Sequence, residues 1–360
     1  MQVIRARNVN EALLLGLDHL AIEGEWRESR AGKVIESVSP VTTTYTHPNE
    51  RVLFSKPRDA NPFFHFLEGL WMLNGQNDVE TVAFYVKRMA EFSDDGETLW
   101  GAYGYRWLNH FGYSVGHDKN QIKKIINILK NDPDDRRCVL QMWDALQDLN
   151  KEGNDIPCNT NIYFKIRDNK LQMTVCCRSN DMIWGAYGAN AVHMSMLHEV
   201  MASAVGVELG EYHQISDSFH AYEKVYKPLQ EEIGLLDYYA IQYPLTGISN
   251  AYELNDVNPY PMVSIPYEEW IIDLDTFMYD LKRWKHKARK LEGGHCKDAF
   301  FNEVAYPIAK SYAFYKDAAI DMAIKATEQI KAEDWSLACK QWLERRTVKE
   351  ESHKDIEAVL

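Results

Sequence analysis

Two strand patterns joined by a two-residue turn lie in the middle of the sequence, and they restrict the possible folds more than any other feature. Residues 161–168 and 170–178 are rich in β-branched and aromatic side chains, and Asp168-Asn169 at their junction is typical of a hairpin turn. A third strand pattern, residues 138–144, comes shortly before them. The middle of the chain is therefore predicted to form strands.

Helical patterns dominate the sequence before this segment. Residues 1–60 are expected to begin with a short helix, followed by a strand at residues 33–38. Apolar side chains then recur at helical spacing over residues 62–73, after a proline that suits a helix start and before Asn74-Gly75, which suits its end. A short amphipathic helix is predicted just before the turn at residues 131–133.

Helical patterns also follow the strands. One helix is expected from about Asn190 to Val205, with Gly206 at its exit, and helical spacing continues from about Glu268 to the end. A chain of 360 residues exceeds the usual size of a single core. We therefore expect a catalytic domain at residues 1–265 and a helical C-terminal extension at residues 266–360.

The composition excludes several classes of protein. Hydrophobic residues make up 46% and charged residues 26%, which is ordinary for a globular protein and argues against disorder or a coiled coil. The net charge of −13 disfavours nucleic acid as a partner, so an anionic substrate would need a local cluster of arginines. No apolar run is long enough to cross a membrane, and the cysteine spacing with the absence of a signal-peptide pattern predicts a cytoplasmic protein.

Cys158 is the strongest candidate for a nucleophile. It follows Pro157 in a polar setting, whereas Cys138, Cys176 and Cys177 lie inside apolar strand patterns and are assigned to packing. A nucleophilic thiol usually needs a cation that lowers its pKa. Arg178, at the far end of the predicted hairpin, is expected to return to Cys158 and to supply that charge.

Other polar residues admit two interpretations. Arg136-Arg137 is either a solvated charged turn or a clamp for a phosphate group. His220 and Tyr222 project to one side of a strand, where they offer two donors, although a single histidine is more often a core residue. Asn190 at a helix start is by default a cap.

Taken in order, these segments resemble thymidylate synthase, the family that converts dUMP to dTMP with methylenetetrahydrofolate. The similarity covers residues 25 to 225. It is carried by the motifs Arg30-Ala31-Gly32, Leu67-Glu68-Gly69-Leu70-Trp71, Tyr103-Gly104-Tyr105-Arg106-Trp107, Asp134-Asp135-Arg136-Arg137, Pro157-Cys158 and Arg178-Ser179-Asn180-Asp181, and by the spacing from Asn190 to His220 and Tyr222.

The resemblance implies a role for each matching residue. Cys158 would add to C6 of the pyrimidine, Glu68 and Tyr103 would belong to the catalytic group, and Asn190 would read the edge of the base. Phosphate and sugar would be bound by Arg30, Arg178, Ser179, His220 and Tyr222, joined by Arg136 and Arg137 of the partner subunit. Asp181 and Gly185 would bind the folate, near positions where Met89 and Phe92 replace the family's tryptophans.

The resemblance also implies an architecture and a set of ligands. The fold would be α+β, with a large mixed sheet, flanking helices and the C-terminal helical extension. The protein would act as a homodimer with shared active sites, taking a pyrimidine nucleotide monophosphate and 5,10-methylenetetrahydrofolate as substrates and using no metal. The substrate favoured by this pattern is dUMP.

Four departures from the family pattern affect the product. Asn159 stands where the family has a histidine, and residues 184–189 form a loop one residue longer than usual. Met89 and Phe92 replace the tryptophans. The helical extension replaces the C-terminus that closes over the ligands in the family. Because exclusion of water decides between hydride transfer and hydration, these changes favour 5-hydroxymethylation over methylation. A dCMP hydroxymethylase and a non-catalytic nucleotide- or RNA-binding relative remain as alternatives.

Overall fold

A mixed sheet of eight strands forms the centre of the computed structural model, which describes residues 1–112, 119–242 and 250–357. The strands are β1 Gln2–Ala6, β2 Gly24–Ser29, β3 Gly32–Ser37, β4 Val41–Tyr45, β5 Val139–Gln141, β6 Asn159–Arg167, β7 Lys170–Asp181 and β8 Glu208–Tyr222. Their order is β1-β4-β8-β7-β6-β5, and the β2–β3 hairpin joins the sheet through β3 and β8. The β1–β4 and β7–β8 pairs are parallel.

The predicted hairpin is confirmed. β6 and β7 pair antiparallel from Asn159↔Cys177 to Arg167↔Lys170. The connecting residues Asp168 and Asn169 both have positive φ, 51° and 58°, which is the conformation that a tight two-residue hairpin turn requires. Asparagine and aspartate tolerate that conformation better than most residues, so the turn follows directly from the sequence.

Helices cover the sheet and continue to the C-terminus. They are α1 Val9–Glu23, α2 Pro62–Leu73, α3 Val79–Tyr85, α4 Tyr103–Tyr105, α5 Gln121–Asn131, α6 Asn190–Val205, α7 Glu223–Gln242, α8 Tyr267–Trp284, α9 Tyr306–Lys316, α10 Ile320–Thr327 and α11 Glu333–Glu357. None of the helices described combines the length and the apolar character that a bilayer crossing requires.

Local chemistry sets the bounds of the two helices that carry site residues. At the start of α2, Asn61 caps the helix by accepting a hydrogen bond from the Phe64 amide, and Pro62 occupies the first turn. At the end of α6, Gly206 takes a left-handed conformation with φ of 90°. Both helices were predicted at these positions.

Two expectations about local structure were only partly met. The helix and the strand expected within residues 1–60 are α1 and β3, but strand β1 precedes them, because residues 2–6 pair with β4, a partner far along the chain that local pattern does not reveal. Residues 138–144 form only the short strand β5, because the amides of Met142 and Trp143 both donate to the Thr160 carbonyl and interrupt the regular pairing.

The extension packs directly on the helix that bears Glu68. On α2, Phe66 contacts Trp335 with ring centroids 5.0 Å apart, and Phe63 contacts Trp342 at 5.5 Å. The buried apolar side chains of both parts belong to one continuous core. The extension helices therefore contribute to the stability of α2.

Candidate active site

A cavity of about 540 Å³ opens at one end of the sheet. Five of the predicted phosphate- and sugar-binding residues line it: Arg30, Arg178, Ser179, His220 and Tyr222. The sheet brings them together, because β7 and β8 run parallel with Ser179 opposite Ser218, and β8 pairs with β3 through Val34↔Tyr222. Three arginines, Arg27, Arg30 and Arg178, line this cavity in a protein of net negative charge, alongside the carboxylates of Glu28, Glu36 and Asp148. The arginines suit the cavity to an anion.

Arg30 and the β8 residues occupy the rim. Arg30 lies in the β2–β3 turn, where its Nη1 atom is 3.4 Å from the Gly153 carbonyl oxygen. His220 Nδ1 is 3.2 Å from Ser218 Oγ, and its ring meets that of Tyr222 edge-on at 5.6 Å.

Cys158 lies immediately before β6, beside Arg178. The Arg178 amide donates to the Cys158 carbonyl at 2.9 Å, and Arg178 Nη2 is 4.0 Å from Cys158 Sγ. The predicted approach of the two residues is confirmed. The expected lowering of the pKa is wrong, because burial raises the pKa of the thiol more than Arg178 lowers it.

Glu68 and His193 form a buried pair between α2 and α6. Glu68 Oε2 is 3.3 Å from His193 Nε2, and the two side chains are 12% and 3% exposed. Burial, with a smaller effect of Asp155, raises the pKa of Glu68 to about 8, and burial lowers the pKa of His193 to about 3. Near neutral pH Glu68 is therefore a carboxylic acid, able to donate a proton and then to take one back.

Tyr103 and Asp181 complete the neighbourhood of the nucleophile. The Tyr103 hydroxyl accepts a hydrogen bond from the Asn159 amide at 3.4 Å, and burial raises its pKa well above the usual value. Asp181 Oδ1 accepts from the amides of Ile183 and Trp184 at 2.8 and 2.9 Å. It thereby caps the helical turn that begins at Met182. The predicted longer loop continues from this turn and departs from helical geometry at Tyr187 and Gly188.

Asn190 is buried in a group of amide side chains. Its Nδ2 donates to Asn180 Oδ1 at 3.0 Å, and its Oδ1 lies 3.4 Å from the Nδ2 of Asn159. Only 8% of Asn190 is exposed. Gly185 packs against this group, since a Cβ atom there would lie 2.6 Å from Asn180 Oδ1.

Ten of the fifteen predicted site residues are not among those that line the cavity. Six of them are described above, beside Cys158 or Asn190, and the other four are Arg136, Arg137, Met89 and Phe92. Arg136 and Arg137 are exposed in the turn after α5, where Arg137 pairs with Asp135. Met89 and Phe92 lie on a short 3-10 helix, Lys87–Phe92, with Met89 packed on the core and Phe92 37% exposed. In the part of the chain that the structure describes, no cluster of three or more His, Cys, Asp or Glu is arranged to hold a metal ion.

Comparison with known proteins identifies the family to which this chain belongs. A thymidylate synthase profile matches residues 14–261. The chain belongs to the thymidylate synthase family. The α+β fold and the activity expected from the sequence are thereby confirmed: the protein is a transferase that adds a one-carbon unit to C5 of a pyrimidine nucleotide.

Relatives within this family differ in how much of the chain they match. The deoxyuridylate hydroxymethyltransferase of Pseudomonas phage M6 is 46% identical over 98% of this chain and 97% of that protein. The deoxyuridylate hydroxymethyltransferase of Bacillus phage SP01 is 34% identical over 76% of this chain and 73% of that protein. The thymidylate synthase of Corynebacterium aurimucosum is 29% identical over 48% of this chain and 64% of that protein.

Sequence reasoning missed several residues of this thymidylate synthase-family site. His193 lies three residues after Asn190 on α6, a spacing that puts both on one helix face, and that signal was available. Asp155 influences the pKa of both Glu68 and Cys158, yet it was treated only as a polar neighbour of the cysteine. Asn180 was quoted only as part of a motif, although it is 2% exposed and hydrogen-bonded to Asn190.

Proposed function

We propose that the protein converts dUMP to 5-hydroxymethyl-dUMP, with 5,10-methylenetetrahydrofolate as the one-carbon donor. The observation that carries this proposal is the extent of similarity. A deoxyuridylate hydroxymethyltransferase matches 98% of the chain, including the extension, whereas a thymidylate synthase matches 48%. Six free cysteines suit a reducing compartment, so we infer that the reaction takes place in the cytoplasm.

Cys158 begins the chemistry by bonding through sulfur to C6 of the base, which makes C5 nucleophilic. C5 then bonds to the methylene carbon supplied by the folate, and the C5 proton passes to a base at the site. The bond from the methylene carbon to the folate nitrogen breaks, and tetrahydrofolate leaves with that nitrogen protonated. The nucleotide now carries an exocyclic methylene group on C5. Glu68, a carboxylic acid near neutral pH, organises the proton transfers at the base, while Tyr103 lies beside the reacting thiol.

Water completes the reaction by adding its oxygen to the methylene carbon. Its proton passes to Glu68, which has become a carboxylate by giving its own proton to the leaving folate nitrogen, and the electrons of the C5 double bond move onto C4 and O4. When the carbonyl reforms, the C5–C6 double bond returns and the Cys158 thiolate leaves. The half-exposed Phe92 and the partly buried Met89 support entry of water, since neither makes an enclosed aromatic wall beside the site.

Substrate binding divides between the cavity and the residues around Asn190 and Asp181, which do not line it. Arg30, Arg178 and Ser179 bind the phosphate, and His220 with Tyr222 binds the sugar hydroxyl. Asp181 and Gly185 bind the folate, and Asn190 pairs with the base. The lining of one cavity by both arginines and by the β8 residues supports this division.

The active form is a homodimer in which each subunit completes the other's phosphate site. The exposed position of Arg136 and Arg137, away from the cavity of their own chain, supports this proposal. The outward face of the sheet supports it further, because Val3, Val139 and Tyr163 are 63%, 40% and 46% exposed. Apolar side chains on a sheet face are typical of a surface that a second subunit covers.

The experiment that tests the proposal follows both products during turnover of dUMP. Mass spectrometry of the nucleotide and absorbance of the folate are measured in the same reaction. We expect 5-hydroxymethyl-dUMP with tetrahydrofolate. Formation of dTMP in step with dihydrofolate would contradict hydroxymethylation, and faster turnover of dCMP would contradict the choice of dUMP.

A further inference from the structure

Asn190 belongs to a continuous line of hydrogen-bonded side chains in the interior of the protein. From one end to the other, its members are Cys177, Asn159, Asn190, Asn180, Gln214 and Tyr212. We call this set the amide chain. Every member is buried, with exposures between 0% and 8%. Three strands and one helix contribute to it, since Asn159, Cys177 and Asn180 lie on β6 and β7, Tyr212 and Gln214 on β8, and Asn190 on α6.

All donors in the amide chain point the same way. The Cys177 thiol donates to Asn159 Oδ1, and Asn159 Nδ2 faces Asn190 Oδ1 at 3.4 Å. Asn190 Nδ2 then donates to Asn180 Oδ1 at 3.0 Å, and Asn180 Nδ2 donates to Gln214 Oε1 at 2.8 Å. Because each amide has one acceptor end and one donor end, turning one of them over requires all of them to turn.

The groups at the two ends of the amide chain determine the direction in which its hydrogen bonds run. The Cys177 thiol is a donor when protonated and only a weak acceptor, so it favours an oxygen of Asn159 beside it. Burial raises the pKa of Cys177 well above its usual value, which keeps the proton on sulfur. At the other end Ser216 Oγ accepts from Asn180 Nδ2, at 3.0 Å. A hydroxyl serves either direction, so the thiol end decides.

The direction of the amide chain determines what Asn190 offers to a base. An amide has two N–H groups and two lone pairs, and the chain uses one of each. One N–H and one lone pair of Asn190 are left for a base. Uracil requires a donor opposite O4 and an acceptor opposite N3–H, whereas cytosine requires an acceptor opposite its amino group and a donor opposite N3. The two bases therefore need opposite orientations of the same amide.

We propose that the amide chain fixes the orientation of Asn190 and that Cys177, Asn159 and Asn180 are positioning residues that set the preference for uracil over cytosine. This inference rests on the proposed role of Asn190 in binding the base. The residues act through Asn190 and do not take part in the bond-making steps. Gly185 leaves room for this arrangement, since a side chain at that position would press on Asn180 Oδ1 and displace Asn190.

Two single-atom substitutions test the direction of the chain. Asn180→Asp places a carboxylate where Asn190 already donates, so it keeps the native orientation. Asn159→Asp places a carboxylate beside Asn190 Oδ1, which favours turning Asn190 over so that its N–H faces the new charge. Both variants add one buried acceptor to the same chain, so each serves as the control for the other.

The measurement is release of tritium from C5-labelled dUMP and dCMP, at about pH 8.5 so that a buried carboxylate is ionised. The quantity compared is the ratio of kcat/KM for dUMP to that for dCMP. We expect Asn159→Asp to lower this ratio roughly 10- to 100-fold, the discrimination given by one bidentate amide–base pair, and Asn180→Asp to leave it within about threefold. Equal changes of the ratio in both variants would overturn the inference.

A second pair of variants avoids a buried carboxylate, which can unfold the protein. Cys177→Ser keeps a donor next to Asn159 and should keep the ratio, whereas Cys177→Ala removes the donor and should lower it. Thermal unfolding identifies variants that have lost the fold. Equal ratios in the serine and alanine variants would overturn the inference. Wild-type release of tritium with dTMP as the product would overturn only the proposed hydroxymethylation.

Discussion

The two ends of the candidate site are built on opposite physical principles. The phosphate end, in the cavity, relies on the guanidinium groups of Arg30 and Arg178, which are solvent-exposed. The base end relies on buried groups that are neutral near pH 7, namely Glu68, His193 and Asn190. Exposed charges attract an anion without precise placement. Buried neutral groups act only when each proton is in the correct position, so small substitutions there should have the larger effects.

The largest effect is expected where the two ends meet, at Cys158. Cys158→Ala should lower kcat by at least about 10⁴-fold, since no other group described beside the base can form the covalent bond. Nucleotide affinity should change by less than about tenfold, because the arginines of the phosphate end remain. Turnover and equilibrium binding of dUMP are measured on the same preparation. Substantial turnover by this variant would contradict covalent catalysis.

The next effect concerns the sharing of the phosphate end between subunits. Arg136→Ala/Arg137→Ala should raise KM for dUMP about 10²-fold, through loss of charge-assisted hydrogen bonds to phosphate. Mixed with Cys158→Ala protein, it should recover about a quarter of wild-type activity, because half of the dimers are hybrids and each hybrid has one complete site. Lack of recovery after subunit exchange has been demonstrated would mean that the arginines do not act across the dimer.

The smallest expected effect is on the free energy of unfolding, and it concerns Glu68 at the base end. The folded protein holds a proton on Glu68 up to about pH 8, whereas the unfolded chain releases it near the usual pKa. The free energy of unfolding should therefore fall as pH rises between these values, relative to Glu68→Gln, by up to about 1.4 kcal/mol per pH unit. Urea unfolding of both proteins at several pH values measures the difference. Parallel pH profiles would show that Glu68 is not a buried acid.

Local sequence signals predicted much of the fold. The hairpin turn at Asp168-Asn169, the start of α2 at Pro62 and the extent of α6 all follow from the preferences of nearby residues. Strand β1 was missed because its pairing with β4 joins residues about 40 positions apart, an interaction that no local pattern encodes. The packing of Trp335 and Trp342 on α2 was missed for the same reason.

The two ends of the site differ in how far the sequence predicts them. Arginine is recognisable in any sequence, and Arg30 and Arg178 line the cavity as expected. At the base end, the residue types do not reveal the protonation of Glu68 or the direction of the amide chain. Both depend on burial and on distances between elements that only the folded structure brings together. The pKa of Cys158 was mispredicted because Arg178 is evident in the sequence and burial is not.

The most direct test of the account is to trap its covalent intermediate. The protein is incubated with 5-fluoro-dUMP and 5,10-methylenetetrahydrofolate, digested, and analysed by mass spectrometry. Fluorine at C5 cannot leave as a proton does, so the reaction should stop with nucleotide and folate both attached to the enzyme. The account predicts one adduct, on the peptide that contains Cys158, and none in Cys158→Ala. Absence of a covalent complex in the wild-type protein, or an adduct on another cysteine, would contradict it.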